Sequence, residues 1–107
     1  MASEEALQVV RPIVQRYIAA LQRAHVHPQR VIVYGSAAAG AAHADSDIDV
    51  AVVSDDLSGD RLEDQLRLME LRWPVDLRIE PHPFRPEDFT RDDPCVQEIM
   101  DSGVEIT

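Results

Sequence analysis

Two short apolar runs rich in β-branched residues constrain this chain more than any other feature. Val31-Ile32-Val33-Tyr34 stops at Gly35, and Asp47 to Val53 alternates at first and then runs apolar. Runs of this length and composition read as strands. Helical periodicity lies to either side. Leu7, Val10, Val14, Ile18 and Leu21 recur at helical spacing behind Ser3, a candidate N-cap. Glu4 and Glu5 fall in the first turn, where the helix dipole favours negative charge. Pro12 interrupts this stripe, so the helix either kinks there or begins its ordered part there. His25 to Gln29, around Pro28, reads as a turn.

Ser36 to Ala42 is nearly all alanine and suits a short helix, and Asp45-Ser46 suits a turn. Asp55 to Gly59 reads as a loop. Leu62, Leu66, Met69 and Trp73 form the apolar stripe of a helix over about residues 60–72, which Pro74 ends. Val75 to Ile79 reads as a third strand, with Val75, Leu77 and Ile79 on one face and Asp76 and Arg78 on the other. Pro81, Pro83 and Pro86 predict irregular backbone, followed by short helical turns at Pro86–Phe89 and Val96–Met100. There are no repeats and no linker, so the expectation is one small domain over residues 1–107.

Charge narrows the partners. Twenty acidic residues against 10 basic ones leave a net charge of −10, which repels a phosphate backbone and argues against a long nucleic acid. A basic protein, or a small nucleotide whose charge is masked by metal, fits better. Cys95 is the one cysteine, so no intramolecular disulfide forms. The acidic N-terminus is unlike a signal peptide, and no apolar run approaches membrane-spanning length. A cytoplasmic location is the expectation.

The chemistry lies in Tyr34-Gly35-Ser36, ten intervening residues, and Asp47-Ile48-Asp49. Gly35 lets backbone come close to a ligand. Ser36 would open a helix, where free N–H groups, the dipole and its hydroxyl favour phosphate. Asp47 and Asp49, at period two on a strand, would point the same way with Cα atoms roughly 6.6 Å apart. Two such carboxylates call for a cation between them, and hard oxygen donors suit Mg²⁺ held together with substrate phosphates. Asp76 is a third acid within an otherwise apolar segment. On a neighbouring strand it could reach the same cluster, and three carboxylates can hold two metals about 4 Å apart for in-line phosphoryl displacement.

Gly-Ser, ten residues, Asp-x-Asp and a later acid together resemble the DNA polymerase β-like nucleotidyltransferase superfamily, and the short chain resembles its minimal (MNT) branch. The resemblance covers about Val31 to Ile79. It implies an α/β (α+β) fold, a small mixed β-sheet flanked by helices. It implies that Gly35 and Ser36 contact the triphosphate of an NTP, ATP above all. Asp47, Asp49 and Asp76 would be catalytic and would ligate two Mg²⁺ ions. An acceptor hydroxyl would attack the α-phosphate and release pyrophosphate. Members of this branch pair with helical HEPN-type partners, and some are antitoxins that transfer AMP to a toxin tyrosine. One departure matters: relatives carry arginines where this chain has Ala37 and Ala39. Losing one charged hydrogen-bond partner costs about 1.5–3 kcal/mol. His43 lies in the same segment.

Other conspicuous residues have plainer explanations. His25 and His27 flank a proline turn with no further ligand nearby, and read as surface histidines, as does His82. Asp55-Asp56 and Asp92-Asp93 read as solvated loop acids, Trp73 as helix-end packing, and Cys95 as structural. Three functions compete: an Mg²⁺-dependent transferase, a catalytically weak antitoxin that neutralises a partner by binding, and a nucleotide-binding subunit of a larger enzyme.

Overall fold

The structure, a computed structural model, describes residues 4–35 and 47–106. The expected N-cap Ser3, the alanine-rich helix, His43 and the Asp45-Ser46 turn lie outside the described residues. In chain order come α1 (Glu4–Arg23), β1 (Arg30–Tyr34), β2 (Ile48–Val53), α2 (Arg61–Glu70), β3 (Ile79–Phe84), a 3-10 turn (Pro86–Asp88), α3 (Pro94–Ser102) and β4 (Val104–Glu105). The sheet order is β3-β2-β1-β4. β1 pairs antiparallel with β2 and β4, while β2 and β3 run parallel. A parallel pair needs a crossover, and α2 supplies it. This is the mixed sheet with flanking helices that the family resemblance implied.

The strand period of two divides the sheet into two faces. Val31, Val33, Ile48, Val50, Val52 and Ile79 form one core with Val10, Val14, Tyr17 and Leu21 of α1 and Leu68 of α2. Ile32, Ala51, Val53 and Phe84 form a second core with Val96 and Ile99 of α3. The Tyr17 hydroxyl donates to the Leu68 carbonyl at 2.7 Å, tying α1 to α2 inside the first core.

α1 runs unbroken through Pro12, which answers the question that residue raised. Gln8 and Pro12 are both exposed, so the carbonyl deprived of its N–H partner faces solvent. The helix ends with two bonds, Val26 N–H to Leu21 O at 2.9 Å and His25 N–H to Gln22 O at 3.0 Å. This is a Schellman closure, whose left-handed position is normally glycine. His25 occupies it with φ 65°.

Two expectations are corrected. The third strand is Ile79–Phe84, and Val75 to Arg78 form a turn ahead of it. The prolines that argued against a strand sit where a strand tolerates them. Ile48 N–H bonds Arg78 O at 2.7 Å and Ser54 N–H bonds Phe84 O at 3.0 Å, so the even-numbered residues of β3 face β2. Ile79, Pro81 and Pro83 therefore turn their backbone outward on an edge strand, where a missing N–H costs no ladder bond. Side chains cap two of the outward carbonyls: Gln65 Nε2 donates to Pro81 O at 2.6 Å and Arg72 Nη1 to Ile79 O at 2.8 Å.

The second correction concerns α2. Its buried face carries Leu68 and Asp64. Asp64 accepts from Ser58 N–H and Oγ–H, both at 2.8 Å, and from Gly59 N–H at 3.0 Å, which holds the preceding loop. The stripe read from the sequence points outward instead: Leu62, Leu66 and Trp73 are 68%, 59% and 68% exposed.

His25→Gly should raise stability by about 1 kcal/mol, because a non-glycine left-handed residue carries a steric cost of that order. Gly103→Ala should lower it by about 1–3 kcal/mol through overpacking, since a Cβ there would stand 2.3 Å from Ile99 O and 2.5 Å from Ile32 Cγ2. Urea denaturation of the two variants tests both signs.

Candidate active site

β1 ends and both β2 and β3 begin at the same end of the sheet. Tyr34 pairs with Asp49, and Asp49 pairs in turn with Glu80. By strand parity the side chains of Tyr34, Asp49, Glu80 and His82 share the face that α3 covers farther along the strands. Gly35 leaves β1 with φ 72°, in the left-handed region. A Cβ added to it would lie 2.7 Å from Asp49 Oδ2. The carboxylate of Asp49 thus rests against bare backbone, and only glycine leaves it that room.

Asp49 is one-third exposed, and His82 Nε2 approaches its Oδ1 at 3.5 Å. That contact is too long for a hydrogen bond, and Nε2 is buried with no other partner. An orphaned imidazole nitrogen therefore faces Asp49. The rings of His82 and Tyr34 are tilted at 5.7 Å between centroids. Burial raises the Tyr34 hydroxyl above its ordinary range, with the negative charge of Asp49 next in importance, followed by Cys95 and Glu98. Tyr34 is accordingly a neutral phenol.

Asp47 is exposed and stands immediately before β2. Glu80 carries Arg72 Nη1 at 3.6 Å, and Arg72 Nε is buried without a partner. Asp76 stands in the turn before β3, not on a strand. Its carboxylate accepts from Arg78 through Nη2 at 2.8 Å, Nε at 3.0 Å and backbone N–H at 2.9 Å. Hydrogen bonding to Arg78 holds its pKa below the usual carboxylate value. The structure thus brings Asp49 and Gly35 into contact, sets Asp47 two residues away, and engages Asp76 with an arginine. Ser36, Ala37 and Ala39 lie outside the described residues. Among the described residues no three acid, histidine or cysteine side chains already converge tightly enough to hold an ion.

Glu80 escaped the sequence reading, and His82 reads from sequence as a surface histidine. Their signal was the alternation in Ile79-Glu80-Pro81-His82-Pro83-Phe84, with prolines on one parity and Glu, His and Phe on the other. The prolines themselves obscured it.

The fold is an α/β domain that sets the Asp49 carboxylate against a strand-to-glycine turn, with Glu80 in register beside it. The chain belongs to the nucleotidyltransferase domain family, whose sequence profile matches residues 14–104. A comparison with curated proteins finds no significant match. Among solved structures, a chain from a crystal structure of a toxin–antitoxin with AMP-PNP is similar in fold. The TM-score is 0.54 at 22% identity, covering 85% of this chain and 70% of that one. Among the described residues no helix is long and apolar enough to cross a membrane.

The Asp76–Arg78 pair makes a prediction about pH. A carboxyl whose folded pKa is depressed contributes stability above its unfolded pKa, and that contribution is lost as pH falls through the folded value. Asp76→Asn should therefore be less stable than wild type at neutral pH. The gap should close below the ordinary value of 3.8. Thermal melts from pH 7 to pH 2.5 read it directly.

Proposed function

We propose that this protein is an Mg²⁺-dependent nucleotidyltransferase that moves a nucleoside monophosphate, AMP from ATP, onto a hydroxyl of a protein partner. It would act in the cytoplasm as the antitoxin of a pair whose toxin is a helical, HEPN-type protein. The observation that carries this reading is the seat of the Asp49 carboxylate against Gly35, at the turn where the family resemblance sets the triphosphate.

The donor set fits the metal. Asp47 and Asp49 offer hard oxygens, and Glu80 lies one strand away in register with Asp49. We assign the third carboxylate to Glu80 in preference to Asp76, because Glu80 pairs with Asp49 and touches Arg72 only at 3.6 Å, whereas Arg78 holds Asp76 through three hydrogen bonds. Bound Mg²⁺ would neutralise charge on the triphosphate and polarise the phosphorus under attack. The chain's own residues do the rest. Gly35 keeps the backbone low enough for phosphate to approach, and Ser36 offers its N–H and hydroxyl. Glu80 is the group in this set suited to take the proton from the acceptor hydroxyl as its oxygen bonds to the α-phosphorus and pyrophosphate leaves. Ala37 and Ala39 supply no positive charge, so affinity for the nucleotide rests on the metal more than in relatives with arginine there.

That same absence motivates the second reading, an antitoxin that works by occlusion. Calorimetry with ATP, with and without Mg²⁺, separates the two. Wild type should bind ATP only with Mg²⁺. Asp49→Ala should weaken binding at least about tenfold, or 1.4 kcal/mol, without lowering the melting temperature of the unliganded chain. Glu80→Gln should lower transfer far more than Asp76→Asn does. Wild type that ignores millimolar ATP with Mg²⁺ would leave occlusion as the surviving reading.

A further inference from the structure

The outer face of α2 is unusual for a helix that packs on a sheet. Leu62, Leu66 and Trp73 are more than half exposed, and Met69 lies between Leu66 and Trp73 in sequence, partly exposed. The spacing 62, 66, 69, 73 steps by four, three and four, the seam that one helix offers to another. It is a second apolar stripe, because Leu68 already anchors α2 in the core. Scattered apolar residues on a surface need no explanation, but a contiguous stripe marks an interaction site.

The charges beside the stripe say what covers it. In the heptad that the seam defines, Glu63 and Glu70 occupy equivalent flanking positions seven residues apart. Neither is in an ion pair among the described residues. The opposite flank holds Gln65 and Arg72, and both are spent on the carbonyls of β3. Arg67, between the two glutamates, donates to Ala24 O at 2.9 Å. Arg67 keeps its charge in that bond, while Arg72 faces Glu80 at 3.6 Å, so the flank of Glu63, Arg67 and Glu70 carries two acids to one base, on a chain of net charge −10. A second copy would bring like charges together, and an anionic membrane would be repelled.

We propose that the outer face of α2 and the turn that follows it, along Leu62, Leu66, Met69 and Trp73, is the docking surface for an amphipathic helix with lysine or arginine flanks on a partner protein. The inference deepens the reading above, that the chain acts on a protein partner, and names the surface and the chemistry of that partner. Apolar side chains of the partner helix would fill the spaces between Leu66 and Trp73, and its basic flank would face Glu63 and Glu70.

Trp73 is the sole tryptophan, so the protein carries its own reporter at the site. The probes are two stapled helical peptides with leucine at the same four-three spacing, one flanked by lysine and the other by glutamate. The lysine peptide should shift Trp73 emission to the blue, saturably, and salt should weaken it. The glutamate peptide should leave the emission unchanged. Leu66→Glu should weaken the lysine peptide by about tenfold or more, and the milder Leu62→Ala/Leu66→Ala serves if that variant folds poorly. Glu63→Lys/Glu70→Lys should exchange the preference between the peptides. No shift with the lysine peptide, or equal binding of both peptides, overturns the proposal. So does a shift that appears with protein concentration alone, accompanied by a dimer in sedimentation, which would assign the face to a second copy. Mg²⁺-dependent ATP binding by Leu66→Glu should match wild type, so a failed nucleotide site and a failed docking face give different results.

Discussion

The register of β2 against its two neighbours is the constraint on which the rest of this structure depends. Ile48, Val50 and Val52 are buried beneath α1 and α2, and Ala51 and Val53 beneath α3. Asp49 is the one polar residue on that strand, at the end where the second face opens. Pairing with β1 sets the left-handed Gly35 beside it, and pairing with β3 brings Glu80 and His82 alongside. A slip of one residue would turn Asp49 into the first core and move Ile48, Val50 and Val52 to the face that α3 covers, so the burial that stabilises the sheet also fixes the geometry of the site.

β3 shows how such a strand escapes recognition. A strand with two prolines violates ordinary propensity, and the alternation in Val75 to Ile79 is the more obvious candidate. Tertiary context reverses the choice. On an outer edge, with α2 reaching over to cap Ile79 O and Pro81 O, the missing N–H groups cost nothing and protect the edge from further pairing. Asp76 is thereby moved from a strand to a turn, where Arg78 claims it, and Glu80 inherits the position opposite Asp49.

The charge distribution links the site to the surface. Among the described residues Arg72 faces Glu80 and Arg78 binds Asp76, so these cations are engaged rather than offered to a triphosphate. Positions 37 and 39 are alanine, so neither side chain brings a positive charge. The Asp49–Gly35 site and the exposed Leu62, Leu66 and Trp73 are separate features of the surface.

The sequence by itself determined the two central strands, the first helix, the glycine at the end of β1 and the acids at the start of β2. Each is a local matter of β-branched runs, period and a residue without Cβ, which neighbours in the chain largely decide. The nucleotidyltransferase family follows from the same local motif. Tertiary structure alone decided three things. It selected Ile79–Phe84 as the third strand, because only an edge position excuses the prolines. It brought Glu80 and His82 to Asp49, because parallel pairing joins residues some thirty positions apart. It turned Leu62, Leu66 and Trp73 outward, because α2 buries Leu68 and Asp64 instead, a choice that packing against the sheet and α1 makes. A single helical period cannot distinguish the side chains that hold the fold from those that stay on the surface.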